Sequence, residues 1–376
     1  MNQFTIRNGE CLEQMRAMES DSVDAIVTDP PYGIAFMGAR WDSYGGSTGN
    51  QTVADRQAEG RRYADEMKGA PRYGNSHGKR ATREEMVAFQ ESMTPVMAEA
   101  LRVAKPGAHM LCFGGTRTFH RMACAIEDAG WCIKDCIAWQ YGSGMPHGQR
   151  VERLMEKKHP VEADDWAGWN TQLKPSWEPI IVAYKPFKGT VADNILEYGT
   201  GAMNIDACRI PIDDDDDVFA KNPHTKTKGK ESGIYGAFSA ATENWSGEKG
   251  RFPANVMHDG SDEVLSTYPS TGNSGSTSRF FYCAKASKKD RGEFNDHISV
   301  KPNALMRHLV RLVCRVGGVV MDPFMGSGST GVACMQEGMD FIGIELDPHY
   351  CEIAERRISG AVQEQELPDA QMSLFK

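Results

Sequence analysis

The chain contains 376 residues, of which 40% are hydrophobic and 25% charged, and it carries a net charge of -9. This composition is ordinary for a globular protein and predicts one large domain with a sizeable insertion. We expect a cytoplasmic protein without membrane contact, because no apolar stretch could span a bilayer and residues 1–9 lack the features of a signal peptide. The negative charge weighs against a nucleic-acid partner, although binding depends on a local basic face. The cysteines show no CxxC pairing, so we predict no metal site.

Strands and helices alternate over the first part of the chain. An apolar run at residues 22–28 predicts a buried strand, which must end at Asp29-Pro30-Pro31-Tyr32 because two prolines cannot continue a strand ladder. Thr82 and Glu85 form the pattern of a capping box and predict the start of a long helix, which Pro95 kinks or restarts. Further predictions are strands at residues 4–6, 109–113, 132–139 and 179–184 and a helical face at Leu12, Met15 and Met18.

Two stretches depart from this alternation. Residues 33–83 are rich in glycine, serine, asparagine and arginine with little periodicity, which predicts a mobile basic loop. Residues 187–296 read as an insertion with an irregular fold of its own, because they carry few long apolar faces. Residues 361–376 are predicted to form a flexible tail.

Order returns after the insertion. Helical patterns at 305–316, at 329–337 and from Asp347-Pro348 onwards alternate with strands that end at residues 321 and 345. Residues 1–186 and 297–360 therefore read as two halves of one domain. Its fold class is predicted as α/β, a doubly wound and mostly parallel sheet.

A glycine turn follows the strand that ends near residue 321. Gly326, Gly328 and Gly331 match the dinucleotide fingerprint between a strand and a helix, and Glu345 ends the next strand, where a carboxylate could hold ribose hydroxyls. Nicotinamide, flavin and S-adenosylmethionine sites all use such a turn, and a purely structural glycine turn is a further alternative. The fingerprint alone leaves a nicotinamide-dependent oxidoreductase open.

Asp29-Pro30-Pro31-Tyr32 is suited to binding an amine. The lone pair of an exocyclic aromatic amine is delocalised, and a carboxylate with a neighbouring carbonyl can accept its two hydrogens and localise that lone pair. The Asp29 side chain and the Pro30 carbonyl supply these acceptors. Pro30 and Pro31 together stiffen the loop, and Tyr32 offers a ring for stacking. A rigid surface turn is the alternative for the tetrapeptide alone. A base inside a duplex would have to be flipped out to reach the motif.

Together the motifs resemble those of bacterial and phage DNA amino-methyltransferases of the β group, in which the amine motif precedes the cofactor motif. The resemblance covers residues 4–186 and 297–360. It implies a Rossmann-like sheet, S-adenosyl-L-methionine as cofactor, double-stranded DNA as partner, direct in-line transfer, and a target-recognition region at 187–296. It also implies a cytoplasmic enzyme of a bacterium or phage-infected host, of the kind found in DNA methylation and restriction-modification.

The resemblance assigns site residues. The catalytic set is Asp29, Pro30, Pro31 and Tyr32. In the cofactor set, Lys301 meets the methionine carboxylate and Glu10 reaches the adenine, unless Glu10 is only a turn residue. The full cofactor set is Glu10, Asp29, Lys301, Asp322, Phe324, Gly326, Ser327, Gly328 and Glu345.

An aspartate at the head of the amine motif implies N6 of adenine more often than N4 of cytosine, where serine is commoner. We therefore expect a DNA adenine-N6 methyltransferase, with a cytosine-N4 enzyme as the alternative. The recognition site, the presence of a partner endonuclease, the oligomeric state and the base-reading residues do not follow from the sequence, although a homodimer is compatible with it.

Two other features concern partners. Local basic clusters are candidates for phosphate contacts: Arg40, Arg61, Arg62, Lys226, Lys228, Lys288 and Lys289. The tail residues Gln371, Leu374 and Phe375 resemble the peptide by which bacterial proteins dock on the replication sliding clamp. Packing of Phe375 back on the protein is the alternative.

Overall fold

A computed structural model describes most of the α/β domain predicted from the sequence. The described residues are 2–33, 82–144, 146, 148–156, 159–211, 250–270, 276–284, 290, 292, 294–297 and 299–366. The basic loop predicted at 33–83 falls almost wholly outside these ranges, as does most of the predicted tail. Over the described ranges, no helix has both the length and the apolar character needed to cross a membrane.

The described strands form one nine-stranded sheet. They are β1 Phe4–Asn8, β2 Val23–Thr28, β3 Ala104–Phe113, β4 Cys132–Gln140, β5 Trp177–Tyr184, β6 Val256–His258, β7 Tyr282–Cys283, β8 Val319–Asp322 and β9 Asp340–Glu345. Their order is β1-β9-β8-β2-β3-β5-β4-β6-β7. Strand β5 runs antiparallel to both of its neighbours, and the other pairs are parallel. The predicted mostly parallel α/β sheet is confirmed.

Helices connect these strands. They are α1 Cys11–Arg16, α2 Arg83–Val103, α3 Phe119–Asp128, α4 Val151–Met155, α5 Pro160–Ala163, α6 Val191–Tyr198, α7 Asp262–Leu265, α8 Asn303–Val313, α9 Ser329–Glu337 and α10 Pro348–Glu366. The capping box that starts α2 is confirmed: Thr82 accepts a hydrogen bond from the Glu85 amide, and the Glu85 side chain accepts one from the Thr82 amide. Pro95 lies inside this helix without ending it.

Helices pack on both faces of the sheet, as a doubly wound fold requires. On β3, Leu111 belongs to the core on the side of α8, and the next residue, Cys112, belongs to the core on the side of α2. This alternation follows from the two-residue period of a strand. Leu309 of α8 and Met97 of α2 are fully buried on the two opposite sides.

Strand β3 begins earlier than its sequence suggests. The sequence predicted a strand at 109–113, but the strand starts at Ala104, directly after α2. The longer strand is accommodated by an irregular register with β2, because Val23 pairs with Ala104 whereas Ala25 pairs with His109. The extra residues form a bulge, where a proline is tolerated.

The predicted insertion contributes to the same sheet. Strand β6 pairs in parallel with β4, with Ala138 opposite Val256, and β7 adds a further short strand. Its described residues therefore extend the sheet beyond β4. Residues 212–249, in the middle of the insertion, are not among the described residues.

Candidate active site

The amine motif and the glycine turn lie side by side. Strands β2 and β8 are parallel neighbours, with Ala25 opposite Val320 and Ile26 opposite Met321. The Thr28 hydroxyl at the end of β2 donates a 2.7 Å hydrogen bond to Asp322 Oδ1 at the end of β8. The two loops therefore leave the same edge of the sheet from adjacent strands, where open α/β sheets bind their ligands.

The buried side chain of Asp322 accepts hydrogen bonds that fix the start of the glycine turn. Its carboxylate is 2% exposed and also accepts hydrogen bonds from the Thr330 hydroxyl, at 2.6 Å, and from the Phe324 amide, at 3.1 Å. Burial raises the pKa of Asp322 to about 6, and the hydrogen bonds oppose that rise. Both carboxylate oxygens are thus engaged by the protein, although the sequence had suggested Asp322 as a cofactor contact.

The turn itself depends on glycine. Gly326 and Gly328 adopt left-handed backbone conformations, with φ values of +53° and +83°. A Cβ atom on Gly326 would lie 2.9 Å from Nε2 of His297, too close for an ordinary contact. The backbone of the turn can therefore approach a ligand without a side chain intervening.

Glu345 ends β9, the strand next to the turn. Its Oε2 accepts from the Gly326 amide and its Oε1 from the Asp347 amide, each at 2.9 Å. Burial raises the pKa of Glu345 to about 7, against the effect of these two hydrogen bonds. Each oxygen retains a second lone pair that can accept a ribose hydroxyl.

Glu10 follows β1, which pairs with β9 so that Asn8 lies opposite Glu345. Its side chain caps α1 by accepting a hydrogen bond from the Glu13 amide at 3.0 Å. These contacts match the turn-residue alternative, and a contact with adenine stays a prediction.

The hydroxyl of Ser327 is fixed by two residues that sequence reasoning missed. Asn295 Nδ2 donates to it at 3.1 Å and Arg357 Nη1 at 3.0 Å. Arg357 also donates to the Ser327 carbonyl. The glycine turn is thus held by Arg357 of α10 as well as by Asp322 at the end of β8.

A compact polar cluster lies around Asp29 on the amine side. The Tyr32 hydroxyl donates to Asp29 Oδ1 at 2.8 Å, and Lys301 Nζ lies 3.0 Å from Asp29 Oδ2. Lys301 also donates to Glu178 Oε2 at 2.8 Å and to the Tyr32 oxygen at 3.1 Å. One ammonium group therefore bridges two carboxylates.

The charges in this cluster affect its neighbours. Burial, and then the carboxylates of Asp29 and Glu178, raise the pKa of Tyr32 well above its ordinary value. Burial and Glu178 raise the pKa of Tyr141 to about 12, against the effect of Lys301. Burial lowers the pKa of Lys301, but the two carboxylates outweigh it and the net shift is upwards. Both phenols are therefore neutral, and Lys301 is protonated, near neutral pH.

The contacts of Lys301 differ from the contact that the sequence predicted. We expected it to meet the methionine carboxylate of the cofactor, whereas its contacts here are with Asp29, Tyr32 and Glu178, and its Nζ lies 4.7 Å from the centre of the Phe113 ring. A role in cofactor binding stays a prediction.

Glu178 was not identified from the sequence. It lies in β5, and the antiparallel direction of that strand brings its first residues to the edge where β2 and β3 end. The sequence shows a strand near 179–184 but not its direction. The flanking Trp177 and Pro179 match no motif that would have drawn attention to the residue.

Several predicted contacts cannot be placed. The basic residues proposed for DNA and the tail residues proposed for clamp binding all lie outside the described residues: Arg40, Arg61, Arg62, Lys226, Lys228, Lys288, Lys289, Gln371, Leu374 and Phe375. Their roles, and the homodimer, stay predictions.

An adenosyl cofactor fits this edge of the sheet. A glycine turn that lets backbone approach a ligand stands beside a carboxylate at the end of the neighbouring strand, which is the arrangement that holds a ribose. The Asp29 cluster lies on the other side of the turn, one strand away. The edge therefore brings a turn suited to a nucleoside next to an acidic cluster suited to an amine.

The chain belongs to the DNA methylase family of N6 and N4 methyltransferases, whose family model matches residues 23–356. It is 25% identical over 358 residues to the type II methyltransferase M.HindIII of Haemophilus influenzae, covering 94% of each chain. It is 36% identical over 69 residues to the DNA adenine methyltransferase YhdJ of Escherichia coli, covering 18% of this chain and 24% of that protein. The solved cytosine-N4-specific PvuII DNA methyltransferase aligns over 95% of this chain and 86% of its own, at 11% identity and a TM-score of 0.48.

The family match confirms the predicted enzyme class. The protein is a DNA methyltransferase that uses S-adenosyl-L-methionine, and its acceptor is N6 of adenine or N4 of cytosine. The matched range contains both motifs, and the family match shows that the nicotinamide-dependent alternative was wrong.

Proposed function

We propose that the protein transfers a methyl group to the exocyclic N6 of an adenine flipped out of duplex DNA. The observation that carries this proposal is the Asp29 carboxylate at the end of β2, joined through Thr28 and Asp322 to the start of the cofactor turn. An aspartate at the head of the motif favours adenine. The local similarity to an Escherichia coli DNA adenine methyltransferase supports the same base.

The residues of the amine motif activate the acceptor nitrogen. Asp29 accepts one hydrogen of the amine, and the Pro30 carbonyl accepts the other, which localises the nitrogen lone pair. Tyr32 stacks on the flipped base while its hydroxyl keeps Asp29 oriented through the 2.8 Å hydrogen bond. After the transfer, Asp29 is positioned to accept the proton that the methylated amine releases.

Residues of the turn hold the methyl donor. Gly326 and Gly328 give backbone access to it, and Glu345 accepts from its ribose. When bound, S-adenosyl-L-methionine supplies an electrophilic methyl group on a sulfonium.

The acceptor base is identified by nucleoside mass spectrometry. The purified protein is incubated with labelled cofactor and with DNA from a strain that lacks adenine and cytosine-N4 methylation, and the DNA is then digested to nucleosides. We expect labelled N6-methyladenine. Labelled N4-methylcytosine alone would show that the base assignment is wrong and that the alternative is right.

Membership of a restriction-modification system is a separate proposal, since the relative from Haemophilus influenzae is named a type II methyltransferase. Sequencing of modified bases in cells that express the protein would give its recognition site. Methylation of every copy of one short sequence is expected of a type II enzyme. Scattered or partial methylation would contradict that assignment.

The sliding-clamp hypothesis concerns the tail and is tested without reference to activity. Purified bacterial clamp is titrated with the full chain and with a variant lacking residues 371–376. We expect binding that is lost in the shortened variant and in Leu374→Ala with Phe375→Ala. Equal, negligible binding by all forms would end the hypothesis.

A further inference from the structure

We propose that Glu178 is a positioning residue for methyl transfer, which shares Lys301 with Asp29 and so leaves the amine pocket with one negative charge in excess. This inference rests on the proposed transfer to an exocyclic amine, and it holds for either base. It concerns a residue outside both sequence motifs.

The geometry shows that Lys301 is shared. Its ammonium lies 2.8 Å from Glu178 Oε2 and 3.0 Å from Asp29 Oδ2, with 11% of its side chain exposed. Each carboxylate side chain is 21% exposed, so solvent screens the cluster only in part. Because Glu178 is the nearer partner, Lys301 is not committed to Asp29 alone.

The charges of the cluster do not cancel. Two carboxylates and one ammonium leave one negative charge, and the neighbouring phenols of Tyr32 and Tyr141 stay neutral. His297, on the cofactor side of Asp29, is neutral because burial lowers its pKa. The carboxylate of Asp322 is directed to two hydroxyls and an amide at the strand end.

An excess negative charge suits the reaction. As the methyl group leaves the sulfonium and bonds to the amine, positive charge moves from sulfur to nitrogen. A negative pocket at the nitrogen favours the transition state over the ground state, which is the condition for raising the rate of the chemical step. Without the charge of Glu178, Lys301 would neutralise Asp29 and the pocket would carry no net charge.

Glu178 also lies beside two tyrosines. The Tyr32 hydroxyl lies 3.3 Å from Glu178 Oε2 while it donates to Asp29 at 2.8 Å, and, after burial, the charge of Glu178 helps to raise the pKa of Tyr141, the residue that follows β4. Glu178 thus acts on the acceptor through Lys301 and Tyr32 rather than by touching the base.

The test is a single-turnover measurement of methyl transfer at saturating cofactor and DNA. We expect Glu178→Gln to lower the rate constant by between about tenfold and a hundredfold, less than the loss usual for a group that touches the reacting atoms. The dissociation constants for cofactor and DNA should stay near their wild-type values. Glu178→Asp, which keeps the charge, should recover most of the rate.

A double variant separates charge from structure. Glu178→Gln combined with Lys301→Met removes one charge of each sign and restores the excess negative charge on Asp29. Its rate constant should exceed that of Glu178→Gln alone when cofactor saturation has been verified by direct titration. A merely structural role for Glu178 predicts a further loss instead, and that loss would overturn the inference.

Glu337→Gln is the matched control. Glu337 also pairs with two cations, Arg307 and Arg311, but it lies at the end of α9. This variant should be less stable to denaturant and should keep the wild-type rate constant.

A wild-type rate in Glu178→Gln, or a loss confined to ligand binding, would refute the inference. A wild-type protein that methylates no exocyclic amine would instead refute the proposed function.

Discussion

The hydroxyl of Thr28 and the carboxylate of Asp322 are joined by a 2.7 Å hydrogen bond across 294 positions of sequence. Both residues are buried, at 0% and 2% exposure. The bond ties the strand that precedes the amine motif to the strand that precedes the glycine turn. The relative position of the motif and the turn therefore depends on a contact between the two strand ends themselves.

Thr28→Val is expected to lower the free energy of unfolding by about 1–3 kcal/mol, because the Asp322 carboxylate would lose one partner in a buried site. The methyl-transfer rate should fall as well. Urea unfolding followed by circular dichroism measures the first effect. In Thr267→Val, a control that breaks a hydroxyl bond within a local turn, the rate should not change. Wild-type stability and rate in Thr28→Val would contradict the proposed tie.

Asp29→Ala should abolish methyl transfer, with a loss of at least about a hundredfold, because the carboxylate that accepts from the amine is removed. The cofactor dissociation constant should change little, since the glycine turn is intact. Turnover is measured with labelled cofactor and affinity by calorimetric titration. Asp206→Ala removes a surface carboxylate that pairs with Arg209 and should behave as wild type. Retained turnover in Asp29→Ala would show that the carboxylate is dispensable.

Gly326→Ala should weaken cofactor binding by about tenfold and destabilise the fold by about 1–2 kcal/mol, because the left-handed conformation and the approach of His297 both disfavour a Cβ atom. Gly360→Ala is the matched control. Gly360 lies within α10 with no atom inside 4 Å of its would-be Cβ, so alanine should leave cofactor binding unchanged and slightly raise stability. Equal cofactor affinities in the two variants would argue against the turn as the binding element.

Cofactor affinity should depend on pH through Glu345. Its pKa is raised to about 7, so the carboxylate that would hold the ribose becomes protonated as the pH falls below 7. Affinity should then decline by up to about tenfold per pH unit between pH 7 and 6. Calorimetric titrations at several pH values measure the slope. In Glu345→Gln affinity should be weaker and nearly independent of pH, and a pH-independent wild-type affinity would contradict the assignment.

The raised pKa of Glu345 affects the stability of the fold in the opposite direction to its effect on cofactor affinity. Glu345 and Asp322 have higher pKa values in the folded chain than they have when unfolded. Their protonated forms therefore stabilise the native state below about pH 4, and this contribution is lost as the pH rises through about 6 to 7. Added cofactor should accordingly raise the melting temperature more at pH 8 than at pH 6. The reverse order would contradict a role for ionised Glu345 in binding.

Local features of this protein could be predicted from the sequence by itself. The prolines after Asp29 fix the end of β2, Thr82 and Glu85 fix the start of α2, and the glycines of the cofactor turn fix its backbone. Each of these depends on interactions within a few residues, which the order of amino acids specifies directly. The cofactor and the class of enzyme followed from the resemblance of the two motifs to those of a known family.

Tertiary structure decided which distant groups meet. The sequence did not show that β5 runs antiparallel, so it could not place Glu178 beside Asp29, nor did it place Lys301 between these two carboxylates. It also did not show that β6 and β7 extend the sheet. Strand direction and neighbours are set by packing between elements far apart in the chain, and no local pattern of residues records that choice.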